Sequence, residues 1–154
     1  MRTIRFRAKP CYKGGKQSPW VYGTFQYIAQ RRVKPGATDN GTFEPRSDKG
    51  RIVDLYGSET EVLCDTVGQF TSLRDINGKD IYEGDILEVN YADEESYLEV
   101  RFVRGVFAFL WNGDLDDEFP CNAPTHEWAR VVGNIYDNPE LIRNAVNPKR
   151  NFKR

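Results

Sequence analysis

The sequence predicts a mainly β protein: a small antiparallel barrel in the C-terminal half, packed with an N-terminal β-hairpin region and followed by one short C-terminal helix. Three observations predict it. Aromatic residues make up 13% of the 154 residues while Met occurs once, so apolar burial must come from rings and β-branched side chains, which suit a pleated surface. From Asp85 onward, short apolar runs succeed one another with turn residues between them, and closing such a sheet leaves no strand edge unpaired. Only one segment, after Asp137, carries the start signals of a helix.

In chain order, Ile4, Phe6 and Ala8 alternate with Thr3, Arg5 and Arg7, the period-two pattern of a half-buried strand with cations on its wet face. Gly14-Gly15 offers a hairpin turn, and Pro19 to Ile28 reads as an aromatic-rich return strand in which Gly23 marks a bulge. From residue 30 to residue 49 the composition shifts to Arg, Lys, Pro, Gly, Asp, Asn and Ser, the make-up of an exposed loop. Arg51 to Leu55 resumes strand character, Glu61 to Asp65 is another short apolar run, and residues 58–69 fit either a strand or a short helical turn.

The densest punctuation lies between Thr66 and Leu87. Asp75-Ile76-Asn77-Gly78-Lys79 requires a tight turn, because Asn tolerates positive φ and Gly has no Cβ to forbid it. Glu83-Gly84-Asp85 is a second turn signal. Beyond it, Asp85–Tyr91, Tyr97–Val103, Val106–Trp111 and Trp128–Val132 read as strands, with Ile135-Tyr136 as a short fifth. They are joined by turns at Ala92 to Glu95 and at Arg104-Gly105, and by an acidic loop from Asn112 to Glu127. Asp137-Asn138-Pro139-Glu140 then starts a helix: a side-chain cap, Pro where its missing N–H costs nothing, and Glu near the positive end of the dipole. It should run from Pro139 to about Val146, stopped by Asn147-Pro148. The expected organisation is an N-terminal β region over 1–74, barrel and closing helix over 75–147, and a basic tail over 148–154.

The block Thr66-Val67-Gly68-Gln69-Phe70-Thr71, Leu73, Asp75 to Gly78 and Ile81-Tyr82-Glu83-Gly84-Asp85-Ile86 resembles the signature of the YopX family, small proteins encoded by bacteriophages and prophages. Ile4 to Ala8 resembles that family's first strand, and Gly133 to Leu141 its closing segment. Ser72 stands where the pattern calls for Gly. The resemblance implies an SH3-like barrel, a phage or prophage origin and the cytoplasm of a bacterial host; it implies no reaction. Gly68, Asp75, Asn77, Gly78, Gly84 and Asp85 are then signature and turn residues.

Charge is uneven: +9 over residues 1–51, −15 over 52–140 and +5 over 141–154. Either the segments complement one another or the basic ones meet phosphate. Arg5, Arg7, Arg31, Arg32 and Lys34, with Trp20 and Tyr22 as stacking rings, are the candidate nucleic-acid contacts; Tyr27, Trp111 and Trp128 are further rings, and core packing is the ordinary role of most of these. Cys11, Cys64 and Cys121 are odd in number and in no C-x-x-C arrangement, which points to reduced thiols and no metal. Cys121 and the single histidine, His126, are five residues apart in an irregular segment with no second His, and Asp114, Asp116, Asp117 and Glu118 match no calcium loop. No catalytic, metal or cofactor residue is therefore assigned. The longest apolar run, Val106 to Trp111, is too short to span a bilayer. The reading is an accessory protein of undetermined role, a non-enzymatic binding or assembly module. Nucleic-acid binding is the alternative; a second copy of the chain and nucleic acid both stand open as partners, and a membrane is not indicated.

Overall fold

The computed structural model describes residues 4–12, 18–28, 49–91, 94–116, 118–121 and 127–143. The protein is mainly β, with antiparallel sheets, one of them curled into half a barrel, and a short C-terminal helix. The chain forms two compact units, Ile4–Val67 and the part from Gly68 onward.

In the first unit, β1 (Phe6–Ala8), β2 (Val21–Tyr27), β3 (Lys49–Val53) and β4 (Glu59–Leu63) pair antiparallel in the order β4-β3-β2-β1. Alternation decides what each face holds: Ala8, Ile52 and Val62 form a small buried core with Phe6, Val21, Phe25 and Val67 packed against it, while Gln26, Arg51 and Glu61 lie in register on the other face. Residues 58–69 contain both of the alternatives the sequence left open, strand β4 and then a 3-10 turn at Cys64–Thr66. Thr66 Oγ1 closes that turn by donating to Leu63 O and accepting the Lys9 amide.

Two expectations are corrected here. Gly23 is no bulge: β2 pairs with β1 and β3 without a register shift, and the glycine is needed because a Cβ would run into the carbonyl of Val53. Strand β3 begins at Lys49, inside the expected loop, and ends at Val53 rather than Leu55, because the Asp54 carboxylate draws the chain into a turn. The Gly14-Gly15 turn and most of the 30–49 loop lie outside the described residues.

The second unit opens with the hairpin β5 (Gly68–Arg74) and β6 (Asp80–Tyr82). Then β7 (Asp85–Tyr91), β8 (Glu94–Val103), β9 (Val106–Trp111), β10 (Glu118–Pro120) and β11 (Ala129–Asn134) form a five-stranded sheet in the order β10-β9-β8-β7-β11. Its concave core is built by Ile81, Leu87, Val89, Leu98, Val100, Phe109, Trp111 and Ala129. On the opposite face of β8, Glu99 is buried, held by the Arg101 guanidinium and lying against Gly113. The strand β10 falls within the stretch expected to be loop, a three-residue edge with Pro120 at its end, which β9 recruits by pairing. Ile135-Tyr136 is a turn, not a fifth strand, because Asn134 Oδ1 accepts the amides of Tyr136 and Asp137 at 3.0 Å each and bends the chain. The helix α1 is described over Pro139–Arg143; its expected continuation to Val146 lies outside the described residues.

Candidate binding cleft beside the signature turn

The turn between β5 and β6 is organised by one buried carboxylate. Asp75 is 1% exposed. Its Oδ1 accepts the amides of Asn77 and Lys79 at 2.8 and 2.9 Å, and its Oδ2 accepts the Val131 amide at 3.0 Å. The Ile76 amide donates to Ala129 O at 2.9 Å. Ala129 and Val131 belong to β11, the outer strand of the five-stranded sheet, so the turn satisfies backbone groups that an edge strand would otherwise present to solvent. Gly78, with φ +76, is what lets the turn close.

The second signature turn works in the same manner. Gly84, φ +83, donates its amide to Val100 O and accepts from Ile135, while the buried Asp85 Oδ2 accepts the Tyr82 amide at 2.8 Å. At Gly68 a Cβ would strike the Glu83 carbonyl. Ser72 has φ +71 and sits inside a register shift of the β5–β6 pairing; the conformation suits Gly and is occupied here by Ser. Thr71 Oγ1 bridges the shift, donating to Ile81 O and accepting the Leu73 amide.

Against the first turn, β7 and β11 form one side of an open cleft of about 380 Å³ lined by Ile76, Asn77, Glu88, Val89, Asn90, Trp128, Ala129 and Arg130. Trp128, Val89 and Ala129 contribute its apolar part. Trp128 stands edge-on to Phe109, ring centroids 5.7 Å apart, and is fixed by that packing. Ile76 is 55% exposed at the rim. Polar groups come from the Asn77 and Asn90 carboxamides and from an ion pair, Arg130 to Glu88, set opposite each other in register. Sequence reasoning weighed Trp128 only as a stacking ring and passed over Ile76, Glu88, Asn90 and Arg130. The available signal was an apolar residue, Ile76, at the centre of a polar turn.

The candidate nucleic-acid residues are distributed as follows. The expected wet face of the first strand is corrected: Arg7 is buried, 4% exposed, while Ile4 is exposed, and the cations of Arg7 and the equally buried Lys9 lie over the Trp20 ring, at 4.3 and 4.6 Å from its centroid. Lys9 Nζ also donates to Ser18 O. Tyr22 is exposed and opposite Arg7 in the β1–β2 register, and Arg5 is half-buried just before that strand. Arg31, Arg32 and Lys34 lie outside the described residues. Of the other rings, Trp111 is in the core and Tyr27 is exposed.

Cys121 packs against the sheet core, and burial pushes its thiol up to about 12; His126 and Asp117 are outside the described residues. Asp114 Oδ1 accepts the Asp116 amide and Glu118 pairs with Arg104. Among the described residues no group of three or more His, Cys, Asp or Glu side chains is placed to hold a metal, and no helix is long and apolar enough to cross a membrane.

A family model, described as YopX protein, matches residues 16–143. The chain belongs to the YopX family. None of the curated proteins matches this YopX chain. Among solved structures it is similar to protein EF1440 from Enterococcus faecalis, at 24% identity over 91% of this chain and 98% of that one, with a TM-score of 0.49.

Proposed function

We propose that this YopX protein is a non-enzymatic binding or assembly module of a phage or prophage, working in the cytoplasm of the bacterial host, and that its binding site is the cleft beside the Asp75 turn. The observation that carries this reading is a division of labour. The buried polar side chains Asp75, Asp85 and Asn134 accept backbone amides and hold turns. The neighbouring cleft brings an aromatic ring, an exposed isoleucine, two asparagines and the Glu88–Arg130 ion pair to a concavity of about 380 Å³, a size that holds one or two side chains. All three cysteines stand as thiols, which suits a reducing compartment.

The test is a titration of the isotope-labelled protein with p-cresol and indole, followed by amide chemical shifts. Saturable changes confined to Ile76, Asn77, Val89, Asn90 and Ala129 to Arg130 are expected, with dissociation constants on the order of millimolar for fragments so small, and Ile76→Lys should abolish them. Absence of any saturable shift at the cleft would remove the assignment. Nucleic-acid binding is the competing reading, favoured by the exposed Tyr22 ring.

A further inference from the structure

An asparagine followed by a glycine can modify itself, because the glycine nitrogen has no neighbouring Cβ to keep it from the asparagine Cγ. The chain carries this pair three times, at Asn40-Gly41, Asn77-Gly78 and Asn112-Gly113. Asn40 lies outside the described residues. The other two are held differently. In the second of them the Gly113 amide reaches its acceptor, Leu110 O, only at 3.4 Å, the long limit of a hydrogen bond. The Gly78 amide donates to Asp75 O at 2.9 Å, and the Asp75 amide donates to Lys79 O at 2.9 Å. Asp75 Oδ1 accepts the amides on either side of it, those of Asn77 and Lys79.

These bonds oppose the reaction twice. The attacking nitrogen is pinned to a carbonyl, and the rotation that would bring it to the Asn77 Cγ is fixed from both sides. The nucleophile is also the deprotonated amide, and the Asp75 carboxylate disfavours a second negative charge between the two amides it accepts. Burial adds nothing here. Asn77 and Gly78 are exposed, and no atom lies within 4 Å of where a Gly78 Cβ would be. The turn alone restrains the pair.

We propose that Asn77 is a self-modification site locked by the Asp75 turn, so that opening the turn becomes irreversible once the pair reacts. The Gly78 nitrogen gives its proton to hydroxide and bonds to Asn77 Cγ. The Cγ–Nδ2 bond breaks, and ammonia leaves with a proton from water. Water then cleaves one of the two bonds from that nitrogen to a carbonyl carbon. Cleavage at Cγ leaves aspartate; cleavage at the original main-chain carbonyl leaves isoaspartate, whose chain runs on through Cβ and Cγ. The longer backbone no longer brings the Gly78 amide to Asp75 O, so the opened turn stays open. Either product places a carboxylate where the Asn77 carboxamide lined the cleft.

Peptide mapping by mass spectrometry, after incubation at mildly alkaline pH, tests it. In the folded wild type Asn77 should convert at least about tenfold more slowly than in urea, the factor that one charge-assisted hydrogen bond is worth. Asp75→Ala, at a temperature where it is still folded by circular dichroism, should speed conversion at Asn77 by a similar factor. It should leave the rate at Asn112, the reference within the same molecule, unchanged. Hydrogen exchange in the wild type gives a second reading that needs no variant: the Gly78 amide should exchange slowly although it is exposed. Conversion at Asn77 as fast in the folded protein as in urea, a rate indifferent to Asp75→Ala, or a Gly78 amide that exchanges like an unfolded one each overturns the proposal.

Discussion

Asp75 Oδ2 accepts a hydrogen bond from the Val131 amide at 3.0 Å, joining the β5–β6 turn to a strand 56 residues later. Replacing Asp75 with Asn keeps one acceptor for the turn amides and turns an NH₂ group towards the Val131 N–H. Two donors then face each other at a part-buried site. The expected loss is about 2 kcal/mol, the cost of an unsatisfied buried group plus a charge-assisted bond, read as a lower midpoint in urea unfolding. An unchanged midpoint would show that the turn and β11 are not coupled through this side chain.

Ser72 offers the opposite sign. At φ +71 its Cβ is strained, and Ser72→Gly should stabilise the protein by roughly 0.5–1 kcal/mol, the relief of left-handed strain less the larger entropy of an unfolded glycine. A higher melting temperature by calorimetry is the expected result.

Gly78 lies at φ +76 with nothing within 4 Å of where a Cβ would be, so its substitution isolates backbone cost from crowding. Gly78→Val should destabilise by about 1–3 kcal/mol, and Gly78→Asn by clearly less, since Asn visits this region readily. Equal melting temperatures for the two variants would contradict the argument.

Burial raises the Cys121 thiol from 9.0 to about 12, leaving roughly a thousandfold less thiolate near pH 8 than an ordinary cysteine has. Ellman's reagent should therefore modify the exposed Cys11 rapidly and Cys121 only after unfolding. The folded chain holds this proton more tightly than the unfolded one, so the associated stability is complete below pH 9 and declines as pH rises from 9 towards 12. Cys121→Ala should flatten that decline. Labelling of Cys121 as fast as Cys11 in native buffer would refute the assignment.

Nucleic-acid binding by the basic segments must release counterions, with a log-log salt slope of roughly 0.7–0.9 per phosphate contacted. Only weak binding to single strands is expected at physiological salt, because residues 52–140 carry −15. Reversal of Arg31, Arg32 and Lys34 to Glu lowers the slope if those residues are the contact, and removal of residues 149–154 does so if the tail is. A submicromolar, salt-sensitive complex abolished by the reversal would make nucleic acid the primary partner.

Local chemistry was legible where one signal dominated. Asp85–Tyr91 and Val106–Trp111 are strands at the bounds their apolar runs mark, and Pro139 opens the helix. The Asn77-Gly78 reversal and the odd Ser72 were visible as backbone demands. What stayed hidden depended on partners distant in sequence. Strand β10 forms because β9 offers it an edge, Gly23 is small because Val53 lies across from it, and Ile135 turns because Asn134 captures two later amides. The cleft was hidden for the same reason: Ile76, Asn90 and Arg130 meet only once β11 is docked beside β7 and the Asp75 turn.

The Asp75 turn also guards against misassembly. By occupying Ala129 O and the Val131 amide, it keeps the outer strand of the sheet from serving as a template for another chain. When the carboxylate is lost, that edge is freed while the rest of the sheet is still intact, so the first product of damage is a nearly native molecule with an adhesive rim. A variant without the Asp75 carboxylate, warmed without denaturant, should therefore form β-rich aggregate at temperatures where the core still holds.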